Sequence, residues 1–371
     1  MNKKLLVQKI LQRIGVVVNG NNDWDIVVKN EKFYNEVLSR GSLGLGESYM
    51  NGWWDCKRLD ILFTKLLRAD LDKIPELKNW KMLGYFLRAS IFNFGSKLRA
   101  FNIGEKHYNL GNDLFQYMLG DIMAYSCGYW KNAKNLREAQ LAKFELIAKK
   151  LNLQSGMKVL DIGCGWGEFA KYITENYGVS VVGITVSTEQ AKLAKKKCQN
   201  LPIDIRVQDY RDLSGKFDRI ASIGMFEHVG YKNYREYMRT VNRLLIDDGL
   251  SLLHTIGGNS SVKATDPWIN KYIFPGGMLP SISQIGKSME GLFVMEDWHN
   301  FGVDYDKTLM AWYKNFIKYY PKLKNRYDLK FYRMWKYYLL ISAGSFRARK
   351  NQLWQIVLSK KGVLGGYNSI R

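Results

Sequence analysis

The stretch that decides the fold is VLDIGCGWGEFA, residues 159–170. A strand-forming run ends at Ile162 and leads into Gly163, Gly165 and Gly167, after which a helix-forming run begins at Glu168. Glycines between a strand and a helix N-terminus let the backbone approach a nucleoside. A dinucleotide-binding loop would need a glycine where Glu168 stands, and a phosphate-binding loop would need Gly-Lys-Ser or Gly-Lys-Thr. The pattern therefore favours a nucleoside-containing ligand outside those two classes.

Strands and helices alternate downstream of this loop. The sequence predicts strands at residues 157–162, 180–186, 203–208, 217–224 and 250–256, and helices at 168–177, 188–197 and 233–245, with Ser187 as a cap. Such alternation is typical of a parallel sheet with helices on both faces. Because ligands bind beyond the carboxyl ends of these strands, we expect the site in the loops after Leu160, Ile184 and Leu253.

A carboxyl group follows one of these strands in an apolar setting. Glu227 lies in GMFEHVG, residues 224–230, among Met, Phe and Val side chains. A charge there costs free energy unless something uses it. Since Glu227 lies on the same rim as the glycine loop, we interpret it as functional. We interpret the adjacent His228 as a structural neighbour bonded to the backbone.

Length and composition allow a substantial core. The chain has 371 residues, 46% of them hydrophobic and 14% aromatic, which suits one large domain or two. No stretch approaches the roughly 20 apolar residues that a membrane span needs, and the amphipathic N-terminus predicts no signal peptide. Four scattered cysteines lack metal or redox spacing, so we expect no metal site, reduced thiols and a cytoplasmic location.

Positive charge is concentrated towards the C-terminus. The formal net charge is +22, and residues 307–371 hold fifteen Lys or Arg against one acid, Asp328, which makes +14 for that segment. Such a field favours nucleic acid or an anionic lipid surface. General solubility explains it equally well, and charge alone does not choose among the three.

The first hundred residues have a mixed pattern. Helical spacing of apolar residues begins at Leu5, and residues 25–29 look like a strand. The segment GSLGLGESYMNGWW, residues 41–54, carries glycines that permit tight turns. Residues 96–104 have the composition of a linker.

The glycine loop resembles the first motif of class I S-adenosylmethionine-dependent methyltransferases. The resemblance rests on Asp161 before the first glycine and on the alternate spacing of the three glycines. It has one departure, because most such enzymes carry an acid at the end of the second strand to hold the ribose hydroxyls. VVGIT, residues 181–185, has none. Thr185 and Gln190 are then expected to serve instead.

Further segments, spread over essentially the whole chain, narrow this resemblance. They are GSLGLGESYMNGWW (41–54), KHYNLGNDLF (106–115), AYSCGYW (124–130), GITVSTEQ (183–190), GMFEHVG (224–230), LHTIG (253–257), DPWINKYIFPGG (266–277), MEDWHNFGVDYDKTLMAWY (295–313) and FRAR (346–349). In this order they resemble cyclopropane-fatty-acyl-phospholipid synthases. The resemblance implies an α/β, Rossmann-like class I methyltransferase domain with a mostly parallel seven-stranded sheet at residues 105–371. It also implies a smaller α+β lipid-interaction domain at residues 1–95, joined by the linker at 96–104.

The family's reaction fits the chemistry of these residues. Its members transfer the methyl group of S-adenosylmethionine to a cis double bond in a phospholipid acyl chain. An alkene is a poor nucleophile, so the electrophile must be held in line in a dry site. Aromatic faces can stabilise the resulting carbocation. A base must then remove a proton so that the ring closes.

The resemblance also implies the site residues. In the family the base is a bound bicarbonate ion, and its ligands here would be Cys127, Glu227, His254, the Ile256 backbone and Tyr305. Glu227 would accept the bicarbonate hydroxyl, while His254 and Tyr305 would donate to its oxygens. Taken alone, Cys127 would more often be a packed apolar residue. The positions that match cofactor contacts are Tyr125, Ser126, Asp161, Gly163, Gly165, Gly167, Thr185, Gln190, Asp209 and Tyr210.

Two local questions stay open from the sequence. Aromatic residues at helical spacing suit either a core or an acyl-chain tunnel: Trp312, Tyr313, Phe316, Tyr319 and Tyr320. Family members often have a Cys where this chain has Ser342, which puts a nucleophilic role there in doubt; the methyl transfer needs no covalent enzyme intermediate.

The expected setting is the cytoplasmic face of a membrane. We expect a peripheral homodimer whose partner is unsaturated phospholipid in an anionic surface, and no nucleic acid. Three rivals remain: a lipid methyltransferase giving methyl-branched or methylene products, a nucleic-acid-binding relative suggested by charge alone, and a lipid-binding protein without activity. The competent residues at every implied ligand position argue against the last two.

Overall fold

The computed structural model describes residues 2–69 and 111–371, which group into two compact units. The first unit contains residues 2–69, 264–275 and 305–351. The second contains residues 111–263, 276–304 and 352–371. The predicted linker at 96–104 and the ends of the two predicted domains at 95 and 105 lie outside the described residues. The structure differs from a division by chain order, because residues 264–275 and 305–351 pack with the N-terminal residues.

A seven-stranded sheet forms the centre of the second unit. Its strands are β3 (Lys158–Ile162), β4 (Ser180–Thr185), β5 (Ile203–Val207), β6 (Phe217–Ile223), β7 (Leu245–Gly258), β8 (Val294–Asn300) and β9 (Asn351–Ser359). Their spatial order is β5-β4-β3-β6-β7-β9-β8. Strands β5, β4, β3, β6 and β7 are mutually parallel, and β8 runs antiparallel to β9. The predicted α/β class with a mostly parallel seven-stranded sheet is confirmed.

Helices cover both faces of this sheet. In the second unit they are α4 (Asn112–Leu119), α5 (Leu136–Lys150), α6 (Glu168–Tyr177), α7 (Thr188–Lys197), α8 (Tyr234–Leu244) and α10 (Ile282–Met289). Alternate strand residues point to opposite faces, so two cores form. Val159 belongs to the core that includes Phe144 and Phe169 of α5 and α6. Leu160 belongs to the core that includes Tyr237 of α8.

Most predicted boundaries in this unit are confirmed to within a residue or two. The helix at 168–177 is found as predicted, and the Ser187 hydroxyl caps α7 by accepting from the Gln190 amide. The strand predicted at 250–256 is longer, because β7 begins at Leu245 directly after α8 ends at Leu244. Because the strand begins at the residue directly after the helix, a periodicity argument does not detect where one ends and the other starts.

The first unit is mainly helical. It contains α1 (Lys3–Arg13), α2 (Lys32–Met50), α3 (Leu59–Arg68), α9 (Pro267–Tyr272), most of α11 (Val303–Leu323) and α12 (Leu329–Arg347). A two-stranded antiparallel sheet joins β1 (Val27–Val28) to β2 (Trp54–Asp55). Its core is aromatic and includes Trp54, Tyr49, Trp268 and Tyr337. Within α11, Trp312 and Phe316 are buried as core residues.

The glycines at 41–46 do not form the tight turns that their number suggested. Only Gly41 leaves helical geometry, at φ 55°, and it kinks α2. Gly44 and Gly46 are helical and are required by close packing: a Cβ on Gly46 would lie 2.3 Å from the Trp268 ring. At these two positions glycine allows close packing. The local sequence does not distinguish a glycine needed for packing from one needed for a turn.

Charge and hydropathy patterns place limits on the surface. In the two described ranges no helix combines the length and apolar character needed to span a bilayer. All four cysteines are free and buried. Part of the C-terminal positive charge is paired, since Arg347 bonds Asp306 and Asp60 while Arg371 bonds Asp297. Lys314, Lys318 and Lys322 remain exposed at four-residue spacing along α11.

Candidate active site

A cavity opens at the carboxyl ends of β3, β4 and β6 in the second unit. It is lined by nine of the ten predicted cofactor residues: Tyr125, Ser126, Asp161, Gly163, Gly165, Thr185, Gln190, Asp209 and Tyr210. The tenth, Gly167, is the N-cap of α6 and packs against Cys198 and Ala194 instead. Chain order separates these residues by up to 85 positions, and the parallel sheet brings them together because its strand ends share one edge.

The three glycines of the loop between β3 and α6 have different surroundings. All three have positive φ, at 83°, 55° and 82° for Gly163, Gly165 and Gly167. A Cβ on Gly163 would lie 2.8 Å from Met225, and one on Gly167 would lie 3.0 Å from the Cys198 sulfur. A Cβ on Gly165 would meet no protein atom within 4 Å. Gly165 is therefore the glycine whose missing side chain leaves room for a ligand.

The end of β4 carries a hydroxyl–amide pair in place of an acid. The Thr185 hydroxyl is 3.0 Å from the Gln190 Oε1 atom and also accepts from the Ser187 amide at 3.2 Å. When that hydroxyl donates to the Gln190 oxygen, the amide nitrogen of Gln190 keeps both its donors. The pair can therefore offer hydrogen bonds to ligand hydroxyls without a negative charge.

Asp209 lies at another part of the cavity, after β5. Its carboxylate accepts from the Arg211 Nε and Nη2 atoms, each at 2.8 Å, and from the Arg211 amide. Arg211 thus holds Asp209 in one orientation at the cavity wall. Burial raises the pKa of the adjacent Tyr210, which keeps its hydroxyl protonated and able to donate.

Asp161 and Lys143 are buried groups of opposite charge type that both line the cavity and influence each other electrostatically. Burial raises the pKa of Asp161, and Lys143 opposes that rise. Burial lowers the pKa of Lys143, against the influence of Cys127 and Asp161. Asp161 Oδ2 has no hydrogen-bond partner among the described residues. An unsatisfied buried oxygen is costly, so this atom points to a ligand donor.

Glu227 sits in the short 3₁₀ turn after β6, between two residues that line the cavity, Met225 and His228. Its Oε1 atom accepts from the Ile256 amide at 2.7 Å, while Oε2 is buried with no partner in the described residues. Burial raises the pKa of Glu227 to about 7, partly offset by the Ile256 amide. The carboxyl group can therefore gain or lose a proton near neutral pH.

His254 comes to the same region from β7, where it is the register partner of Ile223. Its Nδ1 lies 3.3 Å from the Gln355 amide nitrogen, and its Nε2 has no partner among the described residues. Burial lowers the pKa of His254 well below its usual value, so the ring is neutral. With Gln355 donating to Nδ1, the ring proton stands on Nε2 and is available to an acceptor.

The structure separates the five predicted bicarbonate ligands into three situations. Glu227, His254 and Ile256 belong to the second unit. The Ile256 N–H, predicted to donate to bicarbonate, donates instead to the Glu227 carboxylate. Cys127 is fully buried in the same unit, with its sulfur 3.2 Å from the Gly128 carbonyl. Tyr305 belongs to the first unit, where it stacks on Phe346 at 4.5 Å.

Two residues at the site were missed by reasoning from the sequence: Lys143 lines the cavity, and Gln355 contacts His254. Trp166, inside the glycine motif, and His228, interpreted from the sequence as a structural neighbour, also line the cavity. A signal for Lys143 was present, because it lies four residues after the buried Ala139 and four before the buried Ile147 on the apolar face of α5. Gln355 gave no signal, since it alternates with apolar residues in an ordinary strand. Within residues 2–69 and 111–371 no cluster of His, Cys, Asp or Glu could hold a metal ion.

Comparisons with known proteins agree with this geometry. Residues 96–356 match the family model "Mycolic acid cyclopropane synthetase". The chain is 54% identical over 367 residues to a cyclopropane-fatty-acyl-phospholipid synthase of Escherichia coli, covering 99% of this chain and 95% of that protein. It is 36% identical to a probable fatty acid methyltransferase of Pseudomonas putida over 68% of each chain. The solved structure of mycolic acid cyclopropane synthase CmaA1 complexed with SAH and CTAB superposes with a TM-score of 0.66 at 31% identity, covering 70% of this chain and 98% of that one.

Proposed function

The chain belongs to the mycolic acid cyclopropane synthetase family, and from this premise we propose how it acts and on what. It is an S-adenosylmethionine-dependent methyltransferase that forms cyclopropane rings in fatty acyl chains. We propose that the reacting group is a cis double bond in the acyl chain of a membrane phospholipid. The observation that carries the proposal is Glu227, a buried carboxyl group whose Oε2 atom has no partner among the described residues, in the turn between the cavity-lining Met225 and His228.

The cavity residues fit S-adenosylmethionine in shape and charge. Gly165 leaves open space where a nucleoside can approach, and Thr185 with Gln190 offers donors and acceptors to ribose hydroxyls. Asp209, oriented by Arg211, is available for the nucleoside at the β5 end. When bound, the cofactor supplies an electrophilic methyl group. The protein's task is to hold that group in line with the alkene and to exclude water.

Bicarbonate fits the second half of the site. Glu227 Oε2 and His254 Nε2 are buried polar atoms without described partners. A neutral His254 that donates from Nε2 and a Glu227 that accepts from a hydroxyl would together orient a small oxyacid. When bound, bicarbonate supplies a base for ring closure. Glu227, whose pKa is near 7, can draw off the hydroxyl proton of this guest. The family resemblance adds Cys127, the Ile256 backbone and Tyr305 to the proposed ligand set.

The remaining assignments concern the setting of the enzyme. We assign residues 1–95 to lipid interaction, 96–104 to a linker and 105–371 to catalysis, in a homodimer peripheral to the inner face of the membrane. Two observations support binding to an anionic surface. Lysines are exposed on α11, and Asp328 is the one acidic residue in positions 307–371.

Lipid mass spectrometry tests the proposal. The chain should be expressed in a host that makes unsaturated phospholipids but lacks the activity, and the membrane lipids compared with those of an empty-vector host. We expect unsaturated chains to gain one CH₂ unit and to fragment as a ring. A methyl-branched or methylene product would favour the alternative, a related lipid methyltransferase. Unchanged lipids would contradict both.

A further inference from the structure

Lys143 is a buried cation on the wall of the cofactor cavity with no assigned role. Its side chain is fully buried in α5. The ammonium donates to the Ser126 hydroxyl at 2.8 Å and to Gln140 Oε1 at 2.6 Å, and lies 4.6 Å from the centre of the Phe144 ring. Taking an ammonium out of water costs several kcal/mol. A leucine or methionine would fill the same place in a helix more cheaply, so the charge itself requires an explanation.

Lys143 and Gln140 together fix the segment that carries Ser126. The Gln140 amide nitrogen donates to the backbone carbonyls of Ala124 and Ser126, at 3.3 and 2.9 Å. Its oxygen accepts from Lys143, which in turn holds the Ser126 side chain. Because the Ser126 oxygen accepts from an ammonium, its own hydrogen must donate elsewhere. Ser126 lines the cavity, so that hydrogen is available to a ligand acceptor.

The charges at this end of the cavity match an amino acid. The Asp161 carboxyl group interacts electrostatically with the Lys143 ammonium, and its Oδ2 atom has no partner in the described residues. Asp161 stands on β3, two strands away from β5 and the Asp209 loop that follows it. Two strand spacings make about 10 Å, so the two ends of the cavity can hold two different parts of one ligand. S-adenosylmethionine has a zwitterionic amino-acid end, and an ammonium beside a carboxylate complements it.

We propose that Lys143 is a positioning residue that holds Ser126 as the donor to the carboxylate of S-adenosylmethionine and supplies the compensating positive charge. The inference rests on the proposed use of this cofactor. It explains why Lys143 is buried without a carboxylate within ion-pair distance among the described residues, whereas Lys150, the other buried lysine of α5, is paired with Asp297. It also distinguishes the part of the site around Ser126 and Asp161, which would hold the amino-acid end, from the part around Gly165, Thr185 and Asp209, which would hold the nucleoside.

Two ligands that differ only in the amino-acid tail test this inference. S-adenosylhomocysteine has the tail, whereas 5′-methylthioadenosine has the same adenosine and thioether without it. Calorimetry should measure both affinities for the full chain and for Lys143→Met. We expect the variant to bind S-adenosylhomocysteine roughly 10- to 100-fold more weakly, the scale of hydrogen bonds to a charged group. The affinity for 5′-methylthioadenosine should stay within about threefold, since no tail is present to sense the charge.

Two further variants serve as controls. Lys149→Met, on the same helix but exposed and paired with Glu145, should change neither affinity. Ser126→Ala should reproduce the selective loss, and the double variant should lose little more than the larger single effect, because Lys143 acts through Ser126. If Lys143→Met does not fold, the ligand selectivity of Ser126→Ala decides the question.

The outcomes separate this inference from the function on which it rests. Equal weakening of both ligands in Lys143→Met or Ser126→Ala would show a merely structural role and overturn the inference. An unchanged preference for S-adenosylhomocysteine would do the same. If the unmodified chain binds neither ligand, the cofactor assignment itself fails. If it binds both and the variants keep the ratio, the proposed function stands and only the role of Lys143 is refuted.

Discussion

At Glu227 the Ile256 amide holds one carboxyl oxygen and leaves the other in a buried position without a described partner. That arrangement suits a group that binds a guest acid and poorly suits a group whose only role is to stabilise the fold. Gln at this position would keep the shape and the Ile256 contact. It would add N–H donors and could not take a proton.

Glu227→Gln should therefore slow ring formation more than it weakens cofactor binding. We expect turnover to fall by roughly 10²-fold or more, the scale for losing a positioned acid–base group. The affinity for S-adenosylhomocysteine should hardly change. Turnover is measured on unsaturated phospholipid vesicles in degassed buffer and again after bicarbonate is added.

The response to bicarbonate gives this prediction its control. Added bicarbonate should accelerate the unmodified enzyme and help Glu227→Gln less. Glu175→Gln, in an exposed position on α6, should behave as the unmodified enzyme. A Gln variant with full turnover and the same bicarbonate response would make Glu227 a structural residue.

The same substitution should make stability less sensitive to pH. The Glu227 pKa rises from 4.5 to about 7 on folding. A raised folded pKa gives stability that is fully present below the unfolded pKa and lost as the pH rises through the folded value. A neutral Gln avoids that loss, which is on the order of 3 kcal/mol for this shift.

Thermal melting of both proteins between about pH 5 and about pH 8 checks this sign. The melting temperature of Glu227→Gln should exceed that of the unmodified chain increasingly as the pH rises. A gap that stays constant or shrinks towards high pH would contradict a buried Glu227 of raised pKa.

At the scale of elements, the turn from β3 to α6 assigns one task to each glycine. Gly163 and Gly167 allow close contact with Met225 and with the α7 residue Ala194. Gly165 faces free space. Substitution at any of the three adds backbone strain, of about 1–2 kcal/mol, because each has a positive φ. Only at Gly165 does a larger side chain enter the cavity without first displacing protein atoms.

Gly165→Val should therefore block nucleoside binding in a folded protein, with Gly165→Ala as the matched control. Both variants place a Cβ on a backbone of positive φ, with more strain for the β-branched Val, and only Val carries two further methyl groups into the cavity. We expect the Val variant to lose at least tenfold more affinity than Ala, since an overpacked contact costs about 1–3 kcal/mol. Because the block acts on the nucleoside, 5′-methylthioadenosine should be affected as strongly as S-adenosylhomocysteine. Calorimetric affinities equal to those of Gly165→Ala would refute the assignment of Gly165.

At the scale of the whole molecule, the distribution of charge bears on the proposed binding to an anionic lipid surface. Several basic residues after position 307 are used internally, such as Arg333, which bonds Asp55 and two backbone carbonyls. Lys314, Lys318 and Lys322 form an exposed stripe along α11. The charge relevant to surface binding is then that of this local stripe, which is much smaller than the formal net charge of +22 for the whole chain.

Reversing that stripe should weaken binding to anionic vesicles. We expect Lys314→Glu, Lys318→Glu and Lys322→Glu together to reduce it roughly 100-fold or more, at about 1 kcal/mol for each basic residue near the surface. The matched control changes three exposed lysines of α7: Lys192→Glu, Lys195→Glu and Lys196→Glu. Vesicle sedimentation at low salt measures both. Equal losses in the two triple variants would mean that net charge alone drives binding.

The sequence alone determined the class of fold and the edge of the sheet where the site lies. The strand–glycine–helix pattern at 159–170 and the alternation after it are local signals, because period and turn chemistry act over a few residues. They predicted the edge of the sheet at which the cavity lies, and nine of the ten positions that the family resemblance implied as cofactor contacts line that cavity. The match of motifs along the chain was sufficient to predict the family.

Only the tertiary structure decided which groups are left unsatisfied and which residues hold the others in place. The contact of Lys143 with Ser126 joins residues 17 positions apart, the contact of Gln355 with His254 joins residues 101 apart, and the donation of the Ile256 amide to Glu227 joins residues 29 apart. Likewise, Gly46 is required by Trp268, which is distant in sequence. Desolvation and hydrogen-bond partnership are properties of three-dimensional neighbours, so no local pattern contains them.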